Sequence, residues 1–319
     1  MIFRITYLSV IFCLAACMSR QKTDNQAPPE TPFLVVLGIA QDAGYPQSGC
    51  EKACCRRAWE NPGLARKVVS LALADPAAQQ WWLLEATPDF REQLHDFQEI
   101  TQHKYPFLPA GIFLTHGHIG HYTGLQQLGR EVMNALSVPV DALPRMDTFL
   151  RTNGPWSQLV QLQNIEIRPM APDQAEKLSP ALSIQPFLVP HRDEYTETAG
   201  FEISADNYKV LFIPDIDKWE RFDRDIQAMV QQSDMALLDA TFYADGELPG
   251  RPMSEIPHPF IAESMALLDT LPETERQKVT FIHFNHTNPV LDRESDAYAE
   301  VIRKGYRVAE ERTINMLMR

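Results

Sequence analysis

The chain has 319 residues and a formal net charge of −13, with 45% hydrophobic and 22% charged residues. So acidic a balance excludes nucleic acid and anionic lipid surfaces as principal partners, because both demand a basic face; a small-molecule substrate is the expectation that remains. No internal repeat and no second linker interrupts the sequence, so the part beyond residue 32 reads as one α/β domain with a sizeable core.

At the N-terminus, Arg4 precedes an apolar stretch, residues 5–14, that ends in Leu14-Ala15-Ala16-Cys17. It is a targeting segment, too short to span a bilayer. Small residues directly before a cysteine resemble a bacterial lipoprotein lipobox. That resemblance implies cleavage before Cys17, lipidation of its thiol, and an exported protein tethered by lipid on the periplasmic face of the inner or outer membrane. An ordinary cleaved signal peptide is the alternative. The expected division is a lipoprotein signal peptide over 1–17, a polar, proline-bearing disordered linker over 18–32, and a folded domain over 33–319.

Within the domain, apolar and β-branched runs predict strands at 33–39, 68–74, 81–85, 112–115, 182–189, 200–204, 209–213, 235–238 and 279–283. Helical patterns fill 89–97, the segment after His121, 219–232 and 259–271, with Asp89 as an N-cap of the first. The runs 200–204 and 209–213 stand too close for a helix between them, which predicts a hairpin. Trp81 and Trp82 share a strand that should bury one ring and leave the other exposed or against a helix. The stretches 139–155 and 242–257 read as loops. Mixed sheets with helices outside and reactive residues at strand ends are what this order supports.

The chemistry gathers where strands run out. After the apolar run 110–114 comes Thr115-His116-Gly117-His118-Ile119-Gly120-His121. Side chains two apart on an extended loop share a side, and a third that follows as a helix begins can close around an ion. His191 follows Leu188-Val189-Pro190, Asp215 follows Phe212-Ile213-Pro214, and His283 and His286 follow Phe281-Ile282. His258 opens a helix. Seven of the nine histidines stand in such settings, and only His95 and His103 are assigned to solvated positions. Repetition on this scale needs a shared cause, and a metal centre supplies one.

These residues resemble the metallo-β-lactamase fold superfamily, whose signature is His-x-His-x-Asp-His followed by a distant His, an Asp and a final His. Within it the likeness is to the coenzyme PQQ synthesis protein B group. It is carried by Leu37-Gly38-Ile39-Ala40-Gln41-Asp42-Ala43-Gly44-Tyr45-Pro46-Gln47, by Ala86-Thr87-Pro88-Asp89 and by Asn285-His286-Thr287-Asn288-Pro289-Val290-Leu291-Asp292. The resemblance implies a four-layer αββα sandwich in the α/β (α+β) class. It implies a first metal site of His116, His118 and His191, a second with His121 and His283, and Asp215 as a bridge. Zinc, one or two ions, is the expected cofactor, with iron or manganese as alternatives. The signature's aspartate is Gly120 here. Either the second site is weak, or another carboxylate fills the gap (Asp42 first, Asp193 second), or hydrolysis is lost. The PQQ synthesis protein B group itself commonly lacks the first two histidines, so this chain retains more of a hydrolase's first site.

The implied activity is hydrolysis of an ester or phosphodiester, in which the ion lowers the pKa of bound water from ~16 towards ~7. His258 resembles an additional histidine of some phosphodiesterase branches and is expected to donate a proton to the leaving group. Related phosphodiesterases hold a structural zinc with a short cysteine cluster and a histidine three residues after the last active-site histidine. Cys50, Cys54, Cys55 and His286 match that arrangement, with a disulfide from Cys50 to one neighbour as the alternative. Two rival classes stand beside the hydrolase: an oxidative, iron-dependent enzyme, and a non-catalytic lipoprotein that binds a metal or ligand.

Overall fold

Strand β1 (Phe33–Gly38) sets the layering, because all six of its residues are buried. Phe33, Val35 and Leu37 face one core while Leu34 and Val36 face another, as the two-residue period of a strand requires when both faces are covered. The computed structural model describes residues 28–250 and 252–319. The expected signal peptide, its Cys17 and residues 18–27 of the expected linker lie outside them.

The first sheet continues with β2 (Ser70–Asp75), β3 (Gln80–Leu84), β4 (Gly111–Phe113), β5 (Val138–Ala142) and β6 (Ile165–Pro169). The second comprises β7 (Glu176–Lys177), β8 (Leu182–Val189), β9 (Thr198–Ala205), β10 (Tyr208–Ile213), β11 (Met235–Asp239), β12 (Val279–Ile282) and β13 (Arg307–Val308). Strand β14 (Ile314–Met316) returns to the first sheet beside β1. Both sheets are mixed, with orders β14-β1-β2-β3-β4-β5-β6 and β13-β12-β11-β10-β9-β8-β7. The predicted hairpin is present: β9 and β10 pair antiparallel across Asp206 and Asn207.

The α-helices among the described residues are α1 (Ala53–Glu60), α2 (Phe90–Ile100), α3 (Ile119–Tyr122), α4 (Pro144–Thr152), α5 (Trp156–Gln161), α6 (Ile226–Gln232), α7 (Ile261–Leu268), α8 (Glu273–Arg276) and α9 (Asp296–Arg303). Residues of α2, α4 and α5 share a core with the outer face of the first sheet. Residues of α6, α7 and α9 join the second sheet in the larger core, which also fills the space between the sheets. The result is the expected four-layer αββα sandwich. Among the described residues no helix is long and apolar enough to cross a membrane.

Several local expectations need correction. The stretch 139–155 is not a loop but holds β5 and α4. The helix expected over 219–232 is a 3₁₀ turn (Trp219–Arg221) followed by α6, because Asp225 accepts the backbone N–H groups of Gln227 and Ala228 and starts a new helix. Asp89 precedes α2 without capping it; its carboxylate accepts the N–H of Val68 at 2.8 Å instead. The tryptophan pair is as expected: Trp82 is buried between the sheets and Trp81 packs against α2.

One backbone connection positions the site. Beyond β1 the chain leaves the first sheet and reaches the second: Phe284 N–H donates to Ile39 O at 2.8 Å, and Gln41 N–H donates to Phe284 O at 2.9 Å. Asp42 is thereby held beside the residue that follows His283.

Candidate metal centre

The histidine-rich loop leaves β4 extended, and His118 is still in the extended region when α3 begins behind it. His116 and His118 therefore share a side, and His121 returns one helical turn later. The Thr115 hydroxyl lies 2.9 Å from His116 Nδ1 and 3.4 Å from His121 Nδ1, which turns both Nε2 atoms towards the cleft. Gly117 N–H donates to Thr196 Oγ1 at 2.8 Å, tying this loop to the stretch after His191.

Four strand ends meet here. His116 Nε2 lies 2.7 Å from His118 Nδ1 and 3.3 Å from Asp215 Oδ2, and His191 Nε2 lies 3.2 Å from Asp215 Oδ1. His116, His118, His191 and Asp215 each offer a donor atom within 4.8 Å of the others, and so do Asp42, His121 and His283. Asp215 Oδ2 stands 3.8 Å from His121 Nε2, between the two groups. A further group joins Asp215, Asp239, His258 and His283 within the same span.

The residues fit a divalent cation. His121 Nε2, His191 Nε2, His283 Nε2 and Asp215 Oδ1 are buried without a hydrogen-bond partner, although ring nitrogens and carboxylate oxygens stand a few ångströms apart. A buried polar atom left unpaired costs ~1–3 kcal/mol, so this many aimed at one place call for a ligand that accepts lone pairs. Imidazole and carboxylate together suit zinc, manganese or iron. Protonation agrees with that donor set. Burial holds His116 far below the ordinary histidine range and lowers His118 and His283, leaving rings free to coordinate. Burial works against ionised Asp215, yet the His191 and His258 rings outweigh it and keep the carboxyl well below its usual value. His121 is the exception: burial opposes its cation, but Glu85 and Asp42 raise it well above the ordinary range.

His258 does not open a helix. It lies in the loop before α7, whose N-cap is Phe260, and its Nδ1 is 2.9 Å from Asp239 Oδ2 and 3.2 Å from Asp215 Oδ1. Asp193, the second choice to replace the missing carboxylate, is not brought into the cluster; it faces Arg145 at 4.0 Å. Asp42, the first choice, is, with Oδ1 3.4 Å from His121 Nε2. His95 and His103 are exposed, as expected. Glu194, from the polar run after His191, reaches His118 Nε2 at 3.3 Å and so rims the site.

Three residues escaped the sequence reading. Glu85, fully buried at the end of β3 with φ 75°, approaches His121 Nδ1 at 3.3 Å. Asp239, closing β11, accepts the Thr241 N–H and hydroxyl at 2.8 and 2.7 Å and the Ile216 N–H at 3.0 Å. Thr241 Oγ1 lies 2.9 Å from His283 Nδ1. The two acids share the setting of Asp215, a carboxylate directly after an apolar strand, but that setting is too common to single them out before the fold brings them against an imidazole.

Cys50, Cys54, Cys55 and His286 form a separate group with donor atoms within 4.8 Å. Cys50 Sγ and Cys54 Sγ are 3.8 Å apart. A disulfide holds its sulfurs at ~2.05 Å, whereas thiolates ~2.3 Å from a tetrahedral zinc stand about 3.8 Å from each other. Gln47 N–H points to Cys55 Sγ at 3.4 Å, and Tyr45 and Trp59 donate to the carbonyls of Cys54 and Cys50, fixing the turn.

Two seven-stranded mixed sheets with histidines and aspartates at one common edge define a metallo-β-lactamase-like protein, and the sequence profile described as the beta-lactamase superfamily domain matches residues 80–284; the chain belongs to that family. Within it the chain groups with PQQ synthesis protein B-like members. It is 27% identical over 303 residues to the coenzyme PQQ synthesis protein B of Xanthomonas campestris pv. campestris, covering 87% of this chain and 97% of that one. Zinc-bound PqqB from Methylobacterium extorquens superposes with a TM-score of 0.73 at 23% identity, covering 89% of this chain and 99% of the other. A diphosphatase from the PhnP family superposes at 0.62 with 21% identity, covering 89% and 96%. These two likenesses speak for the fold.

Proposed function

We propose that this protein is a metal-dependent hydrolase acting on an ester or phosphodiester bond. The observation that carries the reading is the convergence of unpaired buried ligand atoms from His121, His191, His283 and Asp215 beside His116 and His118. Bound there, a divalent ion such as zinc supplies Lewis acidity and a nucleophile active at neutral pH. The chain's own groups do the rest. His116, His118 and His191 would hold the ion with Asp215 between the two sites, and Thr115 and Glu85 keep the rings turned inward. Asp239 fixes the His258 ring through Nδ1, which leaves Nε2 as the position able to give a proton to a leaving group.

Hydrolysis of a chromogenic phosphodiester, a lactone and a β-lactam by metal-loaded protein tests this reading. We expect turnover of at least one, abolished in His116→Ala and reduced ~10²–10⁴-fold in kcat in His258→Gln. Activity unchanged in His116→Ala removes the proposed metal role, and binding without turnover across the panel favours a non-catalytic lipoprotein. A second reading is supported by the near full-length similarity to PQQ synthesis protein B: an oxidative, iron-dependent enzyme. Metal identity separates the two, because zinc carries no redox chemistry.

The same proposal extends to the cysteine group as a structural zinc site. Thiol titration of native protein should find no accessible thiol among Cys50, Cys54 and Cys55 and one tightly held zinc; a single free thiol without that zinc indicates a disulfide. Export as a lipoprotein is tested by fatty-acid incorporation that is lost in Cys17→Ala.

A further inference from the structure

The position of Gly120 is closed to any side chain. A Cβ placed there would meet Asp42 Oδ1 at 2.4 Å and Asp42 Cα at 2.5 Å, distances that real Cβ atoms essentially never show. The obstruction is partly backbone, so no rotation of the Asp42 side chain relieves it. Nor can the loop withdraw cheaply, since Gln41 and Ile39 are hydrogen-bonded to Phe284 and Gly44 N–H donates to Gln41 O at 2.7 Å. The carboxylate that occupies this space is oriented: Gly120 N–H donates to Asp42 Oδ1 at 3.1 Å, and the same oxygen lies 3.4 Å from His121 Nε2. Asp42, His121 and His283 together present donor atoms within 4.8 Å.

We infer that Asp42 supplies the carboxylate of the second metal site from the opposite wall of the cleft, and that the glycine at 120 is the steric condition for its arrival. This rests on the metal-binding reading above and deepens it: the centre is dinuclear, with the acid moved 78 residues along the chain from its usual place in the histidine motif. A carboxylate on the tie between the sheets, rather than on α3, makes the second site depend on the register of that tie.

Manganese titration followed by electron paramagnetic resonance tests the inference without reference to turnover, the thiolate group retaining its zinc because soft ligands discriminate against manganese. The wild-type chain should take up two manganese equivalents with the spectrum of an exchange-coupled pair. Asp42→Asn, which keeps the shape and the contact with Gly120 N–H, should lose at least ~10²-fold in affinity for the second equivalent and show an uncoupled single ion. Gly120→Ala, which leaves Asp42 in the sequence but displaces it, should lose the coupled spectrum too. Two coupled ions at unchanged affinity in Asp42→Asn, or a single ion in the wild type, overturns the inference while leaving the first site standing. Absence of manganese binding in the wild type, indistinguishable from His116→Ala, overturns the metal-binding reading itself.

Discussion

Two buried acids show how differently a carboxyl group behaves according to what faces it. Glu85 lies against an imidazole and keeps His121 turned so that Nε2 reaches the cleft. Such outer partners are worth ~10–100-fold in metal affinity, so Glu85→Gln should weaken the second site by that much in a manganese titration while leaving the first unchanged. An identical isotherm would mean that Thr115 alone orients the ring. Asp141, on β5, has no comparable partner. Burial raises its carboxyl to about 7, with Glu176 adding to the rise and Arg168 opposing it. Between its unfolded value of 3.8 and about 7 the folded chain holds a proton the unfolded chain has released. The stability Asp141 contributes is thus full below pH 3.8 and is lost as pH rises through 7, by up to ~4 kcal/mol. Urea midpoints measured from pH 5 to pH 8 should fall in the wild type and fall less in Asp141→Asn; parallel pH profiles would show that Asp141 titrates normally.

Among the elements, the contact between β3 and α2 is the best place to weigh packing. Trp81 stacks on Phe97 with ring centroids 4.1 Å apart, and its indole N–H donates to Pro106 O at 2.8 Å. Trp81→Ala should lower stability by ~3–5 kcal/mol, read from circular dichroism in urea at fixed metal concentration; a loss under 1 kcal/mol would mean the neighbours collapse into the space. The same elements explain what the sequence disclosed. Strands β1, β2 and β8 to β12 were legible because burial on both faces, or alternation on one, leaves long apolar runs. Strand β5 was not, because Pro139 and Asp141 both argue against a strand. Pro139 is tolerated because β4 pairs with β5 only at Val140 and Asp141. The histidines were legible from their places at strand ends. Asp239 and Glu85 were not, since an acid closing a strand is commonplace until the fold brings it against an imidazole. The sequence offered Asp42 as first candidate for the carboxylate missing at Gly120, but the close contact that makes each require the other joins segments far apart in sequence, and no local pattern contains it.

For the molecule as a whole, the metal centre should appear as folding stability. A ligand bound by the native state alone adds ~2.7 kcal/mol at a concentration of 100 Kd, equivalent to roughly 4–8 °C in Tm for a chain of this size. Thermal melts with and without a chelator should show at least that difference. A His116→Ala/His191→Ala double variant should lose the first site's share and retain only what the second site and the cysteine group contribute. Coincident melts for the wild type under both conditions would argue that the cluster holds no ion at equilibrium.

The link between Ile39, Gln41 and Phe284 has a consequence for when the protein becomes competent. Donors from the opening strand and from the twelfth must come together before the cleft exists, so a nascent chain still emerging from the ribosome is expected to present its histidines without a cage. The ion is then installed as a finishing step, after synthesis, from whatever pool surrounds the completed polypeptide. Which metal the protein carries is decided by where it finishes folding as much as by the preferences of its imidazoles.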